Sequence, residues 1–312
     1  MGKIINRIKG SCLLGLKIYN RLVYIKLFFT KIIYSDKYVI CREYKKKMGK
    51  TLNLDNPQTL TEKLQWIKLN ERQDFHKICS DKYAVRNYLG ERFDRELLIP
   101  LLFVTNDYRQ IVIENIPDVP CIIKSNHDSG HYYIIRNKNE VNFKRLQEEC
   151  RFWLSQNYYK ISKEWQYDIS KSDRKIVVEK LLITKEGKIP NDYKLHYING
   201  ELQFIYVSFD REGVNDRCTY DKEWNRLPFV WVPANTYNIN MNTHEVPRPK
   251  TLNKMIEMGN SIAKRFKYVR VDFYDVDGRL YFGEITLHHG SGMDKFFPEH
   301  YDLIYGNKLI LK

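Results

Sequence analysis

One stretch near the carboxyl end of the chain constrains the fold more than any other part of the sequence. Residues 269–286 read V-R-V-D-F-Y-D-V-D-G-R-L-Y-F-G-E-I-T, two strand-like runs around Asp277-Gly278, which is typical of a hairpin turn. The hairpin brings Asp272 and Glu284 from its two strands close together. Neighbouring carboxylates repel unless a cation lies between them, so the hairpin predicts a Mg²⁺ site. The alternative is a surface hairpin with two unrelated acids.

The rest of the chain predicts an α+β fold, because helices and antiparallel hairpins alternate without a regular βαβ repeat. Thr59 and Glu62 form the capping box of a helix, and Asn199-Gly200 predicts a second hairpin turn. Further helices are expected at about 81–88, 140–157 and 252–266. Strands are expected at 97–105, 119–124, 175–182, 193–199, 202–209, 269–274 and 279–287.

Positive charge is concentrated at the amino end. The formal net charge is +14, but residues 1–50 hold thirteen Lys or Arg and two acids, which gives +11 and leaves +3 for the rest. A nearly balanced body argues against nucleic acid as the partner. Between Leu13 and Tyr34, apolar and aromatic residues alternate with single cations, as in a helix at an anionic membrane surface. A basic helix packed on the body is the alternative.

The cysteines predict a cytoplasmic protein, and the amino end predicts a peripheral position at the inner face of the membrane. Six scattered cysteines without a C-x-x-C pair indicate reduced thiols. Cations interrupt the apolar run near the start, which fits neither a signal peptide nor a transmembrane helix.

Two further segments place charged residues in apolar strands, and one of them is suited to binding phosphate. Lys124 ends an apolar strand and precedes a loop of small polar residues, 125–131, whose N–H groups could cradle phosphate. Glu179 lies inside the apolar run 175–182, where an unpaired carboxylate would be expensive. An edge strand with Glu179 in water is the alternative. The stretch N-D-Y-K at 191–194 then leads into the second hairpin.

In this order the parts resemble the ATP-grasp superfamily, and they are most similar to its TupA-like branch, often labelled as glycosyltransferases in bacterial polysaccharide gene clusters. Segments similar to recurring family segments lie at 56–69, 81–86, 192–205 and 269–284. The resemblance implies an ATP-grasp fold with mixed and antiparallel sheets, preceded by a basic helical segment. It divides the chain into an amino-terminal segment at 1–50, a pre-ATP-grasp region at 51–118 and an ATP-grasp domain at 119–312.

The resemblance also implies roles for individual residues. Those expected to contact ATP are Lys82, Lys124, Ser129 and Gly130 at the phosphates, Glu179, Lys180 and Leu181 at the adenine, Asp192 at the ribose and Lys194 at the γ-phosphate. Asp272, Glu284 and Thr286 would ligate Mg²⁺, although related ligases carry Asn where this chain has Thr286. His131 stands where a second loop glycine is common.

The resemblance implies an ATP- and Mg²⁺-dependent ligase that joins a carboxylate to an amine through an acyl phosphate. Lys194 and Arg211 are the expected catalytic residues. Arg211 and Arg217, which follow the 202–209 strand, are expected to orient the substrate carboxylate or the acyl phosphate; ordinary surface charge is the alternative for both arginines. The implied partners are a glycan or lipid-linked glycan, such as a uronic acid in a capsular, O-antigen or teichuronic-type polysaccharide, and a small amine or amino acid.

Three rival interpretations remain open from the sequence. A metal-dependent glycosyltransferase would use Asp275-Val276-Asp277 as an Asp-x-Asp element, although Asp277-Gly278 also suits the hairpin turn. A zinc hydrolase would use His127, His131, His288 and His289; otherwise His127 and His288 are expected to approach phosphate or substrate from loops. A membrane-surface scaffold with a decayed ATP site is the third.

Overall fold

The computed structural model describes residues 12–209, 212–213, 216–233 and 245–311. Helices α1 to α9 span Leu13–Leu27, Asp36–Met48, Leu60–Asn70, Asp74–Ser80, Ala84–Gly90, Phe143–Ser155, Tyr158–Ser162, Leu252–Ala263 and His300–Lys308, and a π-helical turn, Phe28–Ile32, follows α1. Strands β1 to β11 span Leu101–Thr105, Cys121–Ser125, Tyr132–Ile135, Ile176–Lys180, Asp192–Ile198, Glu201–Phe209, Asp216–Tyr220, Val230–Val232, Tyr268–Val276, Arg279–Thr286 and Lys295–Phe297.

The strands form three sheets. Their orders are β1-β4-β2-β3, β10-β9-β5-β6-β7 and β11-β8. All pairings between these strands are antiparallel, and in the part of the chain described the parallel component of the expected mixed sheet is one bridge between Leu98 and Phe282. β1 shares a sheet with β2 to β4; the domain boundaries at 50 and 118 stay predictions.

Both predicted hairpin turns are confirmed, because each places two residues in the left-handed region that a tight hairpin turn requires. The φ angles are 50° at Asn199 and 81° at Gly200, and 55° at Asp277 and 90° at Gly278. These turns set the antiparallel registers β5–β6 and β9–β10. Since β5 also pairs with β9, the two hairpins form the centre of the five-stranded sheet.

Local capping explains where the structure departs from the expected boundaries. The predicted capping box of α3 is present, with Thr59 and Glu62 each satisfying a backbone N–H of the other. The helix expected from residue 81 begins at Ala84, because the Asp81 carboxylate accepts from the N–H groups of Tyr83 and Ala84. The strand expected over 97–105 begins at Leu101, because residues 95–97 form a 3₁₀ turn capped by Asp94.

Three of the four apolar clusters in the described residues pack helices on the two large sheets. The first packs α8 on one face of the five-stranded sheet, through side chains such as Leu195, Val271 and Met255. The second covers the opposite face with α3, α9 and the β8–β11 pair. The third packs α6 on the four-stranded sheet. Both large sheets are thus covered by helices. In the described residues no helix is long and apolar enough to cross a membrane.

A buried carboxylate joins α9 to α3. Asp302 accepts from the Thr61 backbone N–H at 2.8 Å and from the Thr61 hydroxyl at 2.6 Å. We expect Asp302→Ala to lower the free energy of unfolding by about 2 to 3 kcal/mol, since hydrogen bonds to charged groups contribute about 1.5 to 3 kcal/mol. Urea denaturation measures it. Leu303→Ala, at a side chain 46% exposed on the same helix, should stay within about 0.5 kcal/mol of wild type. Equal effects would contradict the prediction.

Candidate active site

A cavity of about 780 Å³ is lined by residues from both large sheets and from the segment around α5. Of the thirteen residues predicted for the site, eleven line this central cavity: Lys82, Lys124, Ser129, Gly130, Glu179, Lys180, Leu181, Asp192, Lys194, Asp272 and Glu284. These residues come from segments up to about two hundred positions apart. The two antiparallel sheets therefore bring the residues expected to bind nucleotide together around one cavity.

On the four-stranded sheet, Lys124 and Glu179 lie side by side. Register pairs Lys124 with Val177 and Glu179 with Ile122, so both side chains share a face. Lys124 Nζ lies 2.7 Å from Glu179 Oε2, and Arg86 Nη1 lies 3.1 Å from Oε1. Only 8% of the Glu179 side chain is exposed, so the edge-strand alternative is wrong. Its charge is buried but paired with two cations, as a buried carboxylate requires.

The backbone expected to hold adenine already has internal partners. The N–H of Lys180 donates to the Pro100 carbonyl at 3.0 Å, and the N–H of Leu181 donates to the Pro120 carbonyl at 2.9 Å. Recognition of a purine ring through either N–H group would require these bonds to be exchanged.

The loop after β2 is held firmly below an exposed tip. Lys82 donates from its Nζ to the Asp128 carbonyl and from its backbone N–H to the Asn126 carbonyl. His131 Nδ1 lies 2.7 Å from Asp128 Oδ2, while Ser129 and Gly130 between them are exposed. Gly130 has φ 96°, which a side chain would strain. The loop thus places two small exposed residues at the cavity, which Lys82 and Lys124 also line.

On the five-stranded sheet, three charged side chains meet across β5 and β9. Lys194 and Asp272 are direct register partners, and Lys194 Nζ lies 3.5 Å from Asp272 Oδ2 and in contact with Asp192 Oδ2. Asp192 Oδ1 is buried without a hydrogen-bond partner in the described ranges. A buried acceptor left open at a cavity wall is a group that a bound molecule can satisfy.

Arg270 is the central residue that the sequence analysis missed. Its guanidinium donates to both carboxylate oxygens of Asp272 and to Glu284 Oε1, each at 2.6 Å, and only 9% of its side chain is exposed. The cation predicted between the two carboxylates is therefore supplied in part by the chain itself. The available signal was spacing, because Arg270 precedes Asp272 by two residues and so projects from the same face of the strand.

The two acids of the hairpin respond differently to their surroundings. Burial raises the pKa of Asp272 to about 6, although Arg270 and Lys194 oppose it. Burial also acts to raise the pKa of Glu284, but Arg270, Lys82 and Lys194 outweigh it and lower that pKa to about 2. Glu284 thus stays ionised beside the cavity, with 45% of its side chain exposed.

The residues fit a Mg²⁺ ion shared with a nucleotide, but not a metal held by protein alone. In proteins Mg²⁺ is usually bound by one or two carboxylates together with substrate phosphates, and Asp272 and Glu284 supply that number at the cavity wall. In the described ranges no group of three or more His, Cys, Asp or Glu is placed to hold a metal. Thr286, predicted as a ligand, lies outside the cavity lining and donates its hydroxyl to Glu284 Oε1 at 2.8 Å.

A bulge in the β9–β10 pairing lies beside these carboxylates. The register shifts between Phe282 and Ile285, and a Cβ on Gly283 would meet the Asp272 backbone oxygen at 3.0 Å and its Cβ at 3.2 Å. A side chain at position 283 would therefore force the strand carrying Glu284 away from the strand carrying Asp272 by a few tenths of an ångström.

We expect Gly283→Ala to lower the free energy of unfolding by about 1 to 3 kcal/mol, as overpacking of a tight contact does, and to weaken nucleotide binding. Urea denaturation and calorimetry measure both effects. In Gly90→Ala the new Cβ would meet only the flexible Arg95 side chain, so its stability should not fall. Wild-type stability and binding in Gly283→Ala would contradict the close contact.

Three histidines, His127, His288 and His289, do not line the cavity. Arg270 Nη1 donates to His289 Nδ1 at 2.6 Å, and His289 Nε2 lies 2.9 Å from Asp294 Oδ2. His127, expected to reach phosphate, is fully buried between the Asn126 side chain and the Trp153 carbonyl, and burial lowers its pKa to about 4. His288 is also buried, against Glu164 and Gln166, so the expectation for both loop histidines is wrong.

The remaining expected residues are placed as follows. Arg211 lies outside the described residues. Arg217 lies on β7 and does not line the cavity; its charge, with those of His289 and Lys47, counters the effect of burial on Asp294 and helps to lower that pKa.

Both aspartates of the Asp-x-Asp element accept hydrogen bonds from other parts of the protein. Asp275 Oδ2 accepts from the backbone and hydroxyl of Thr251 at the start of α8, and its Oδ1 accepts from the Gly278 N–H in the turn. Asp277 Oδ2 accepts from the Lys185 N–H. Neither aspartate lines the cavity.

Comparison with known proteins gives a family. The TupA-like ATPgrasp profile matches residues 62–310. No curated protein matches significantly. Similar solved structures include the ATP-grasp ligase PsnB with a minimal precursor (10% identity, TM-score 0.38, 73% of this chain and 60% of that one), D-alanine–D-alanine ligase from Bacillus anthracis (14%, 0.36, 67% and 56%) and the macrocyclase MdnC from Microcystis aeruginosa MRC (11%, 0.37, 77% and 62%).

This chain spans less than two thirds of each of those three proteins. At such TM-scores the likeness has no weight of its own, whereas the family match extends over most of the 312 residues and includes both large sheets. The chain therefore belongs to the TupA-like ATP-grasp family.

Proposed function

We propose that the protein is an ATP-dependent ligase that activates a carboxylate as an acyl phosphate and passes the acyl group to an amine. The observation that supports this most directly is the composition of the central cavity. Lys82 and Lys124 line it beside the exposed loop tip, and Lys194, Asp272 and Glu284 line it from the five-stranded sheet. Phosphoryl transfer depends on such charge neutralisation and positioning more than on a protein nucleophile.

Each charged residue has a proposed role in that reaction. Lys82, Lys124 and the N–H groups near Ser129 and Gly130 bind the phosphates of ATP. Asp192 holds the ribose, with its open Oδ1 as the acceptor. Lys194 neutralises the γ-phosphate. Mg²⁺ bound by Asp272 and Glu284 would supply further charge neutralisation, with the Thr286 hydroxyl orienting the Glu284 carboxylate.

The chemistry has two displacements. A carboxylate oxygen of the substrate attacks the γ-phosphorus, the bond to the bridging oxygen breaks, and ADP leaves. A neutral amine nitrogen then attacks the acyl carbon, the carbon–oxygen bond breaks, inorganic phosphate leaves, and the nitrogen gives up a proton. Arg211 is proposed to orient the substrate carboxylate. Full activity in the Arg211→Ala variant would show that Arg211 does not orient the substrate carboxylate.

The family resemblance supports the substrate class proposed here. The acceptor is a uronic acid or similar carboxylate in a glycan or lipid-linked glycan, and the nucleophile is a small amine or amino acid. The reaction is proposed to take place in the cytoplasm, because ATP is its co-substrate.

Transfer of an oxygen label tests the reaction. The protein is incubated with ATP, Mg²⁺, a mixture of amino acids and a uronic acid oligosaccharide labelled with ¹⁸O in its carboxylate. An acyl phosphate delivers one labelled oxygen to inorganic phosphate. ADP formation without label in phosphate would contradict the acyl phosphate. Failure to bind ATP together with clear binding of a UDP-sugar would instead establish the glycosyltransferase.

A further inference from the structure

The first helices show an unusual surface. Of the seventeen large hydrophobic side chains that are exposed in the described ranges, ten lie between Leu14 and Tyr38, so exposed apolar area is concentrated in one short part of the chain. Five of them form a stripe along α1 and its π-helical turn, which we call the amino-terminal stripe: Leu14, Ile18, Leu22, Ile25 and Phe29. Concentrated exposed apolar area is typical of an interaction surface.

The stripe lies on the outward side of the helix. Its members are separated by four, four, three and four residues, which is the spacing of one helical face. Leu16 and Asn20, on the other side of α1, are at most 7% exposed, and α1 packs there against α6 of the body. A surface helix normally turns a polar face outward. Here the inward face already has its partner, and the outward face is apolar.

Cations border the stripe. Lys17, Arg21 and Lys26 are all exposed on α1, and three consecutive exposed lysines, 45–47, lie in α2. Residues 12–50 hold ten Lys or Arg against two acids, a net charge of +8. Both acids are already paired, Asp36 with Arg72 at 2.7 Å and Glu43 with Arg42 at 3.5 Å. The positive charge around the stripe is thus largely uncompensated.

The positive charge and the apolar side chains of this surface together indicate which kind of partner it binds. A second copy of the chain would bring two strongly positive surfaces together, which repel. Nucleic acid is bound through phosphate contacts, and an apolar stripe between the cations offers none. The headgroup layer of an anionic bilayer accepts apolar side chains, cations and tyrosines at one depth, and Tyr24, Tyr34 and Tyr38 are exposed in the same part of the chain.

We propose that α1, its π-helical turn and the start of α2 lie on the surface of an anionic lipid bilayer. The amino-terminal stripe enters the boundary between headgroups and acyl chains, while Lys17, Arg21 and Lys26 contact lipid phosphates. The inference does not depend on the reaction proposed above, because it rests on a surface formed by other residues.

Sedimentation with vesicles tests the proposal on the full chain. Vesicles of equal parts phosphatidylcholine and phosphatidylglycerol should bind the protein at least about 10-fold more tightly than pure phosphatidylcholine, and added salt should weaken the binding. The double variant Leu22→Ser/Phe29→Ser should lose at least about 10-fold in vesicle affinity. Both side chains are exposed, at 45% and 63%, so the fold should survive.

Two further variants keep the test decisive. Lys17→Glu/Arg21→Glu reverses two charges and leaves the side chains of the stripe unchanged, and it should also reduce binding at least about 10-fold. Ile78→Ser/Ile304→Ser, at exposed sites elsewhere, should leave it unchanged, and all variants should keep wild-type affinity for ATP. Equal binding to both vesicle types, or unchanged binding in both amino-terminal variants, would overturn the proposal. So would a wild-type dimer that the serine variant dissociates, since the stripe would then be an interface between copies.

Discussion

Replacing Glu284 with glutamine should weaken binding of ATP with Mg²⁺ by about 100-fold or more. The change keeps the size of the side chain but removes the charge that stays ionised beside the cavity, where cations lower its pKa to about 2. Loss of a residue that merely supports a metal ligand already costs about 10- to 100-fold in metal affinity, so loss of a ligand should cost at least as much. Isothermal calorimetry at matched free Mg²⁺ measures the dissociation constant.

The same titration in EDTA separates a metal role from a general one. If Glu284 acts through Mg²⁺, wild type and Glu284→Gln should bind ATP with similar affinity once the metal is chelated. Glu96→Gln is the matched control, because Glu96 is 79% exposed and lies against Arg279 away from the cavity lining. Undiminished binding of Mg²⁺ and ATP in Glu284→Gln would remove this residue from the proposed metal site.

Local signals predicted the centre of the fold well. The two hairpin turns, the capping box at Thr59 and the strands β5, β6, β9 and β10 follow from short-range patterns, and the structure confirms them. Residues of β5, β9 and β10 and of the 81–86 segment, which the family resemblance named, then meet in one cavity. No single motif specified the site. It was the order of the motifs along the chain that predicted it.

Long-range packing explains what the sequence did not reveal. Strand β3 holds only Tyr132–Ile135, and β8 and β11 have three residues each, too few to show an alternating pattern. Helix α9 is held in place by its buried contact with α3, which a short-range sequence pattern does not reveal. His127 seemed suited to phosphate because it lies in a polar loop, yet its ring is enclosed by Asn126 and Trp153, which are contacts that spacing does not predict.

Partner choice among charges was equally invisible. The sequence predicted that Asp272 and Glu284 lie together with a cation between them. The spacing that puts Arg270 on the same strand face did not by itself decide between this arginine and a bound metal. Glu179 repeats the situation, since its burial is offset by Lys124 and by Arg86, a residue 93 positions away in the chain. In both cases the need for a neighbouring cation was predictable from electrostatics. Which residue supplies that cation could be seen only in the folded structure.

Arg270→Met should lower the free energy of unfolding by about 3 to 5 kcal/mol, because it leaves the buried Asp272 carboxylate without its guanidinium partner. Asp272 loses both guanidinium contacts and Glu284 loses one, while the methyl thioether fills much of the same space. Urea denaturation in EDTA measures this loss. Arg279→Met, at an exposed arginine on β10 that lies 3.6 Å from Glu96, should change the stability by no more than about 0.5 kcal/mol.

The pH dependence of this loss gives a second readout. The pKa of Asp272 is already raised to about 6, above its ordinary value of 3.8, so the folded state holds this proton more tightly than the unfolded state does. Stability from this group is therefore present at low pH and is lost as pH rises through the folded pKa. Without Arg270 that pKa rises further, so the loss should be larger at about pH 8 than at about pH 5. A loss that is equal at both values, or below about 1 kcal/mol at both, would mean that Arg270 does not hold the two carboxylates together.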